Sequence, residues 1–92
     1  MNVKPLNISE YLKTEKDMAE YLTAVMESGN AEAILIALDD IARARGMAKL
    51  AEDAGLNRES LYKSLRPGSK PRFETICRIM SALRIKMQAA PL

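Results

Sequence analysis

The sequence predicts an all-α domain of five helices, with room for at most one short strand near its C-terminal end. Apolar residues recur three and four positions apart in successive segments, as one buried face of a helix requires. Glycines and prolines separate these segments. The 92 residues are 48% hydrophobic and 28% charged, a composition typical of a folded chain rather than a disordered one.

The first predicted helix begins near Thr14 and ends at Ser28-Gly29. The hydroxyl of Thr14 can cap it, and Glu15 and Asp17 place carboxylates in its first turn, where they suit the unpaired amides and the helix dipole. Gly29 ends the helix because glycine tolerates a positive φ. The expected buried face consists of Met18, Leu22, Val25 and Met26.

Residues 1–13 contain a proline and only scattered apolar side chains, so they are predicted to be a partly ordered N-terminal extension. Leu6, Ile8 and Leu12 are available to pack onto the core or onto a partner. The helical domain itself is predicted to span residues 14–92.

Two further helices are predicted in the middle of the chain. Asn30 can cap a second helix that runs to about Arg45, and Gly46 separates it from a short third helix over residues 47–54. Gly55 ends the third helix. The expected buried positions are Ile34, Leu35, Leu38, Ile41, Ala42, Leu50, Ala51 and Ala54.

The last two predicted helices lie on either side of a loop that contains two prolines and a glycine. Asn57 can cap a fourth helix over about residues 58–65, and a fifth follows over about residues 73–83. Beyond it, residues 84–87 alternate polar and apolar side chains, which permits a short edge strand. The expected buried side of the fifth helix consists of Phe73, Ile76, Cys77, Met80 and Leu83.

The chain has no histidine and a single cysteine, Cys77. Without imidazole there is no histidine-based acid–base catalysis, no Ser-His or Cys-His nucleophile pair and no histidine-containing zinc site. One cysteine forms neither an internal disulfide nor a four-cysteine metal site. We therefore expect a binding protein rather than an enzyme, with no cofactor, metal or small-molecule substrate.

Nothing in the sequence predicts a membrane or a secreted location. The longest nearly apolar run, Ala33–Leu38, is far shorter than the ~20 residues that span a bilayer. The N-terminus lacks the charged and then apolar stretches of a secretory signal. We therefore expect a cytoplasmic protein without a membrane partner, and a single thiol suits that reducing compartment.

The charge of the chain changes sign along its length. Residues 1–42 contain three lysines and eight acidic residues, a net charge of −5, whereas residues 43–92 contain eleven basic and four acidic residues, a net charge of +7. The overall charge of +2 conceals this difference. A basic half of this kind favours a polyanion as its partner.

The segment Met47–Leu65 has the spacing of a helix-turn-helix. Counted from Met47, Ala51 is the fifth residue, Gly55 the ninth, Leu56 the tenth and Leu61 the fifteenth. A small residue is needed where two short helices cross, and a tight turn needs a residue that tolerates a left-handed backbone. In such a motif the second helix enters the DNA major groove. An ordinary helical hairpin, with Gly55 as a plain C-cap, is the alternative.

The fourth helix is expected to carry base-reading residues on its exposed faces, namely Asn57, Arg58, Glu59, Tyr62 and Lys63. Arg58 lies at the N-terminal end, where side chains reach base edges, and arginine pairs bidentately with guanine. Tyr62 can offer its phenol to a phosphate or its ring to a thymine methyl group, and Lys63 can reach a phosphate or guanine. Glu59 can accept from cytosine or pair with Lys63. A solvated helix face is the alternative for each side chain.

Phosphate-binding groups are expected on both sides of this helix. The candidates are Met47, Lys49, Arg66, Ser69, Lys70 and Arg72. At Met47 the backbone amides that begin the third helix would bind the phosphate, because the side chain cannot. The alternative for the loop cations is simple solvation beside two prolines.

The chain resembles the addiction-module antidote proteins, and among them the HigA-type antitoxins with a lambda-repressor-like helix-turn-helix. The segments that carry the resemblance are Asp17–Leu22, Ala33–Met47, Ala54–Leu65, Gly68–Phe73 and Ile79–Met87. Members often have glycine where Arg84 stands and asparagine near Ser69. These departures lie outside the fourth helix.

The resemblance implies a homodimer that binds a palindromic operator in double-stranded DNA upstream of its own operon. It also implies that the protein neutralises a RelE-like ribonuclease toxin by direct binding. The acidic half of the chain suits a basic ribonuclease, so Glu15, Asp17 and Glu20 are the expected toxin-binding residues. The alternatives are a stand-alone phage-type repressor and a toxin-binding module that does not read DNA.

Overall fold

The computed structural model describes residues 10–92, which form five helices and no strand. The helices are α1 (Glu15–Met26), α2 (Ala31–Arg45), α3 (Met47–Ala54), α4 (Arg58–Leu65) and α5 (Phe73–Ala82). The predicted all-α class with five helices is confirmed. None of these helices is long and apolar enough to cross a membrane.

Side-chain caps explain where the first two helices begin. The amide of Asp17 donates to Thr14 Oγ1 at 3.0 Å, and the amide of Thr14 donates to Asp17 Oδ2 at 3.2 Å. This reciprocal pair is a capping box, which satisfies two amides that the helix itself leaves unpaired. In α2, Asn30 Oδ1 accepts from the amide of Ala33 at 3.0 Å. The sequence predicted Thr14 and Asn30 as caps, and the structure confirms both.

The core lies where α3 meets its neighbours. α3 contacts α2, α4 and α5, and α1 packs against α2. The largest fully buried side chains are Leu22, Leu38, Ile41, Leu50, Leu61, Leu65, Ile79 and Leu83. Burial of each such side chain contributes about 1.5–3 kcal/mol, so these contacts hold the helices together.

Of the described residues of the N-terminal extension, 10–13, one contributes its side chain to this core. Leu12 is 5% exposed and packs with the buried residues of the helices. Leu6 and Ile8, the other two apolar residues singled out in the extension, lie outside the described residues.

A side-chain hydrogen bond joins α1 to α2 beside the core. The phenol of Tyr21 donates to Asp40 Oδ2 at 2.8 Å. Burial raises the pKa of Tyr21 to about 12, and the hydrogen bond to Asp40 adds to this effect. The phenol therefore remains a protonated donor at neutral pH, and the contact fixes how the acidic helix α1 lies against α2.

The predicted edge strand over residues 84–87 is wrong, because the chain turns at the end of α5. Arg84 adopts a φ of 62°. The amide of Ile85 donates to the carbonyl oxygen of Met80 at 3.0 Å, and that of Arg84 donates to Ser81 at 3.0 Å. These bonds form a Schellman motif, in which Ile85 packs back onto the core. A left-handed residue at the first position interrupts the extended backbone that a strand needs.

Three residues of α5 are less buried than predicted. Phe73, expected on the buried side, is 70% exposed. It is the first residue of α5, and helical side chains tilt toward the N-terminus, so its ring projects beyond the part of the helix that packs. Ile76 and Cys77, expected to be buried, are half-buried.

Arg84→Gly is expected to raise the free energy of unfolding by roughly 0.5–1 kcal/mol, because glycine adopts a positive φ without the steric cost of a Cβ. The ion pair lost with the side chain, to Glu15 at 3.1 Å, is exposed and contributes little. Arg84→Ala is the control, since it loses the ion pair and retains the Cβ. Urea unfolding followed by circular dichroism compares the three proteins. A glycine variant no more stable than the alanine variant would contradict the prediction.

Candidate nucleic-acid interface

The turn between α3 and α4 is built around Gly55, which adopts a φ of 71°. The amide of Leu56 donates to the carbonyl oxygen of Ala51 at 2.9 Å, and that of Gly55 donates to Glu52 at 3.2 Å. These bonds form a Schellman motif that ends α3 and redirects the chain into α4. Ala51 is 2% exposed, as expected for a small residue where helices touch. The arrangement is consistent with the predicted helix-turn-helix.

The side chains of α4 lie on a buried face, on an exposed face and at a half-buried margin between the two. Leu61 and Leu65 are buried, so the opposite face of the helix is exposed. Among the predicted base-reading residues, Asn57, Arg58, Glu59 and Lys63 are exposed and Tyr62 is half-buried. Asn57 also caps α4, because its Oδ1 accepts from the amide of Ser60 at 2.7 Å. The structure therefore brings the five predicted residues together on one short helix and its cap.

The ring of Tyr62 contacts two guanidinium groups. The Arg58 guanidinium carbon lies 6.0 Å from the centroid of the ring, and Arg58 Nη2 lies 3.5 Å from the phenol oxygen. On α2, the Arg43 guanidinium carbon lies 5.6 Å from the same centroid. Both distances are within the range of a cation–π contact. We call Arg43, Arg58 and Tyr62 the Tyr62 cluster; it holds two cations on one ring at the edge of α4.

Arg43 is not among the residues that the sequence predicts for the interface. Arg43 Nε donates to Asp39 Oδ2 at 2.9 Å, and this contact raises the pKa of Arg43 above its ordinary value, so the side chain remains charged. Its contact with Tyr62 joins residues nineteen positions apart, and no local pattern predicts such a contact. The only signal in the sequence was its place at the start of the basic half.

The N-terminus of α3 has no side-chain cap, since Gly46 precedes it. Met47 is only 7% exposed, so its side chain is part of the core and only its backbone can face a ligand. Lys49 is exposed and pairs with Asp53 at 3.2 Å, one turn along the same helix. The predicted phosphate site at this end of α3 thus consists of uncapped amides and one cation with a nearby carboxylate.

The loop after α4 is fixed to the end of that helix. Ser69 Oγ donates to the carbonyl oxygen of Ser64 at 2.8 Å, so the hydroxyl predicted to bind phosphate has a structural partner. Gly68 adopts a φ of 81° and allows the loop to fold back. Arg66, Lys70 and Arg72 are exposed on this loop.

Ion pairing concentrates the unpaired positive charge near α4. Six of the eleven basic residues in the basic half have a carboxylate within 4.0 Å, namely Arg43, Arg45, Lys49, Lys63, Arg78 and Arg84. The other five basic residues of that half have no carboxylate within 4.0 Å among residues 10–92, namely Arg58, Arg66, Lys70, Arg72 and Lys86. Four of these five lie on α4 or on the loop that follows it. A polyanion would meet its least compensated cations there.

The acids predicted to bind the toxin have different roles in the fold. Asp17 belongs to the capping box of α1. Glu15 Oε2 lies 3.8 Å from Arg45 and 3.1 Å from Arg84, so it ties α1 to two other parts of the chain. Glu20 is exposed, and among residues 10–92 its carboxylate has Lys16, at 3.9 Å, as its only ion-pair partner. Of the three, Glu20 has the carboxylate that is least committed to the fold.

The described residues contain no group of three or more potential ligand side chains that could hold a metal ion. The family of the chain follows from its similarity to known proteins. The model of a family described as "Probable addiction module antidote protein" matches residues 2–91. The chain belongs to this family. Its function class is therefore that of an antidote of an addiction module, which implies a toxin as its partner.

A relative from Haemophilus influenzae is 42% identical to this antidote over 86 residues, which cover 94% of the chain and 89% of the relative. The relative is described only as an uncharacterized protein. No solved structure matches the chain. The similarity extends over nearly all of both proteins, so it concerns the whole domain rather than the helix-turn-helix segment alone.

Asn57→Ala is expected to lower the free energy of unfolding by about 1 kcal/mol, because it removes the cap of α4. Asn57→Asp is the matched control, since it retains an oxygen that can accept from the amide of Ser60. Thermal unfolding followed by circular dichroism measures both variants. Equal stability of the alanine variant and the wild type would show that the cap contributes nothing.

Proposed function

We propose that this antidote is the antitoxin of a type II toxin–antitoxin system and represses its own transcription. In this proposal it is a cytoplasmic homodimer of the HigA type with a lambda-repressor-like helix-turn-helix. It binds a palindromic operator in double-stranded DNA and neutralises a RelE-like ribonuclease toxin by direct contact. The observation that carries the DNA-binding part is the concentration of unpaired cations on α4 and on the loop that follows it.

In the proposed complex, α4 lies in the major groove and presents its N-terminal end to the bases. Arg58 is the principal base-reading residue, because it is exposed at that end and its guanidinium matches the two acceptors of guanine. Tyr62 restricts the positions of Arg58 through the ring contact at 6.0 Å. Asn57 has its oxygen in the cap and its amide nitrogen available to an adenine or a phosphate. Lys63 and Glu59 form an exposed pair at 3.7 Å that can open to contact DNA.

The phosphate backbone on either side of the groove is bound by groups that flank α4. Arg66, Lys70 and Arg72 follow the helix on a loop that Ser69 holds in place. The uncapped amides at the start of α3 and the nearby Lys49 face the other side. We add Arg43 to this set, since the Tyr62 cluster places it beside α4. Such contacts set the affinity and the orientation of the protein without reading sequence.

The toxin is proposed to contact the acidic helix α1. A ribonuclease that binds RNA phosphates carries basic surface, and α1 offers it complementary charge. Glu20 is the best candidate contact, since its only ion pair is long and exposed. Glu15 can contribute at the cost of its contacts with Arg45 and Arg84, whereas Asp17 acts mainly as a cap.

Two alternatives differ from this proposal in one partner each. A stand-alone phage-type repressor would bind DNA without a toxin, which membership of an antidote family does not favour. A toxin-binding module without DNA readout would leave the cations of α4 without a sequence-specific role. Binding to the DNA upstream of the protein's own coding sequence distinguishes this second alternative from the proposal.

Arg58→Ala is expected to weaken binding to that upstream DNA by about 1–3 kcal/mol and to leave binding to unrelated DNA nearly unchanged, because the arginine reads a base. Lys70→Ala should weaken binding to both DNAs equally and lower the slope of log K against log [salt] by about 1, because it contacts a phosphate. Fluorescence anisotropy over a series of salt concentrations measures both effects.

Lys16→Ala is the matched control for these variants, since Lys16 is an exposed cation on α1, away from α4. It should leave both DNA affinities unchanged. Equal binding by wild type, Arg58→Ala and Lys70→Ala would exclude the proposed docking of α4. A wild-type protein that does not prefer the upstream DNA over unrelated DNA would support the module without readout.

Glu20→Lys is expected to weaken binding to the toxin encoded beside the gene by about threefold to tenfold, mainly through slower association, because it reverses a charge that attracts a basic partner. Glu74→Lys is the matched control, since Glu74 also forms an exposed ion pair one turn apart, but on α5. Surface plasmon resonance at two salt concentrations gives both rate constants. Equal binding by the two variants would move the toxin contact away from α1.

A further inference from the structure

Asp39 and Arg43 form an ion pair one turn apart on α2, which packs against α4. Arg43 Nε donates to Asp39 Oδ2 at 2.9 Å. This bond occupies one of the five N–H donors of the guanidinium, and the two Nη groups carry the other four. The Arg43 side chain is 55% exposed, so these four donors can face a ligand. Asp39 thus restrains Arg43 and leaves free the donors that a phosphate would use.

The ring of Tyr62 gives the same guanidinium a second contact. The Arg43 guanidinium carbon lies 5.6 Å from the centroid of the ring, and that of Arg58 lies 6.0 Å from it. The two guanidinium carbons are therefore no more than twice the larger distance apart. That separation is comparable with the width of the major groove, about 12 Å. One guanidinium can thus contact a base edge while the other contacts the DNA backbone at the edge of the groove.

We propose that Asp39 is a positioning residue of the DNA interface, which holds Arg43 against Tyr62. Arg43 then contacts a phosphate at a fixed place relative to the base-reading Arg58. An arginine side chain has a large rotamer entropy, and a complex that needs it in one position is stabilised when the side chain is already ordered. This role of Asp39 rests on the proposed function, because it concerns the complex with operator DNA.

Net charge alone gives the opposite expectation for Asp39. A carboxylate near bound DNA repels the phosphates, so its removal should strengthen binding to every DNA. The pair of Lys49 and Asp53 on α3 is the appropriate comparison. It is also one turn apart, at 3.2 Å, and the Asp53 side chain is 29% exposed against 27% for Asp39. Lysine is a flexible point charge without a planar fork, so Asp53 is expected only to compensate charge.

Asp39→Ala is expected to weaken binding to the upstream DNA by about threefold to tenfold, because Arg43 must then be ordered on binding. Binding to unrelated DNA should not weaken, since loose electrostatic association tolerates a mobile cation. Asp53→Ala is the matched control, because it changes the net charge by the same amount, and it should strengthen binding to both DNAs. Fluorescence anisotropy at fixed salt measures these affinities, and circular dichroism checks that both variants remain folded. Equal effects of the two substitutions would overturn the proposal.

An Arg43→Ala background tests whether Asp39 acts through Arg43. Without the arginine, the carboxylate of Asp39 loses this partner and only repels DNA. Asp39→Ala should therefore strengthen binding to the upstream DNA in this background, so the effect of the substitution changes sign. A loss of affinity of the same size in both backgrounds would show that Asp39 acts independently of Arg43, and would overturn the proposal.

The mobility of Arg43 can be measured in the absence of DNA. The proton–nitrogen heteronuclear NOE at arginine Nε reports motion on the picosecond to nanosecond timescale, and the exposed Arg66 provides a mobile reference. We expect a higher NOE at Arg43 than at Arg66, and a fall to the Arg66 value in Asp39→Ala.

This measurement separates failure of the positioning from failure of the proposed function. An Arg43 that is as mobile as Arg66 in the wild type would overturn the positioning by Asp39, whatever the DNA affinities are. A restrained Arg43 in a protein that does not prefer the upstream DNA would retain the restraint. It would overturn the operator proposal, and with it the role of Asp39 in DNA binding.

Discussion

Gly55 adopts a left-handed backbone between α3 and α4, and the direction of α4 follows from that turn. A Cβ built at Gly55 would meet no atom within 4 Å, so the requirement for glycine is conformational and not a matter of space. The turn lets Leu56 bond back to Ala51 and places Asn57 where it caps α4. Because Leu61 and Leu65 are then buried, the residues on the opposite side of α4 are exposed, and Arg58 is one of them.

Several residues of the candidate interface have structural partners that reduce what they can offer DNA. Asn57 caps a helix, Ser69 binds the end of α4, and the side chain of Met47 is buried. The arginines and lysines of the loop have no such commitment within the described residues. The candidate interface therefore contains short polar side chains that hold the backbone in place and long arginine and lysine side chains that extend from it. Rigid short groups fix the geometry, and the long side chains supply the charge.

The sequence predicted the helices well because their ends are encoded locally. Thr14, Asn30 and Asn57 are caps, and each acts on an amide within three residues of itself. The predictions were wrong where packing between distant parts of the chain sets the local conformation. The alternation after α5 suggested a strand, but Arg84 takes a left-handed conformation so that Ile85 can pack on the core.

The difference between local and longer-range determinants also applies to the candidate site. The exposure of Arg58 and Lys63 could be predicted from helical periodicity, because the buried residues of the same helix lie on its opposite face. The place of Arg43 depends on how α2 packs beside α4, and the exposure of Phe73 depends on where the core ends. Neither is a property of a local segment. The sequence predicts only some of the ion pairs. Pairs one helical turn apart follow from residue spacing, whereas the contacts of Glu15 depend on how the helices pack.

The ion pairs determine which cations of the basic half, with its net charge of +7, are available to a partner. An exposed pair such as Lys63 and Glu59 is worth at most about 1 kcal/mol, so a phosphate can replace the carboxylate at little cost. Cations without a carboxylate partner need no such exchange. Because four of these five cations lie on α4 and on the loop after it, the attraction of a polyanion would be strongest beside the exposed side chains of α4. On α1 the exposed Glu20 provides charge of the opposite sign, and under the proposed function α1 and α4 would offer separate surfaces to a basic and to an acidic partner.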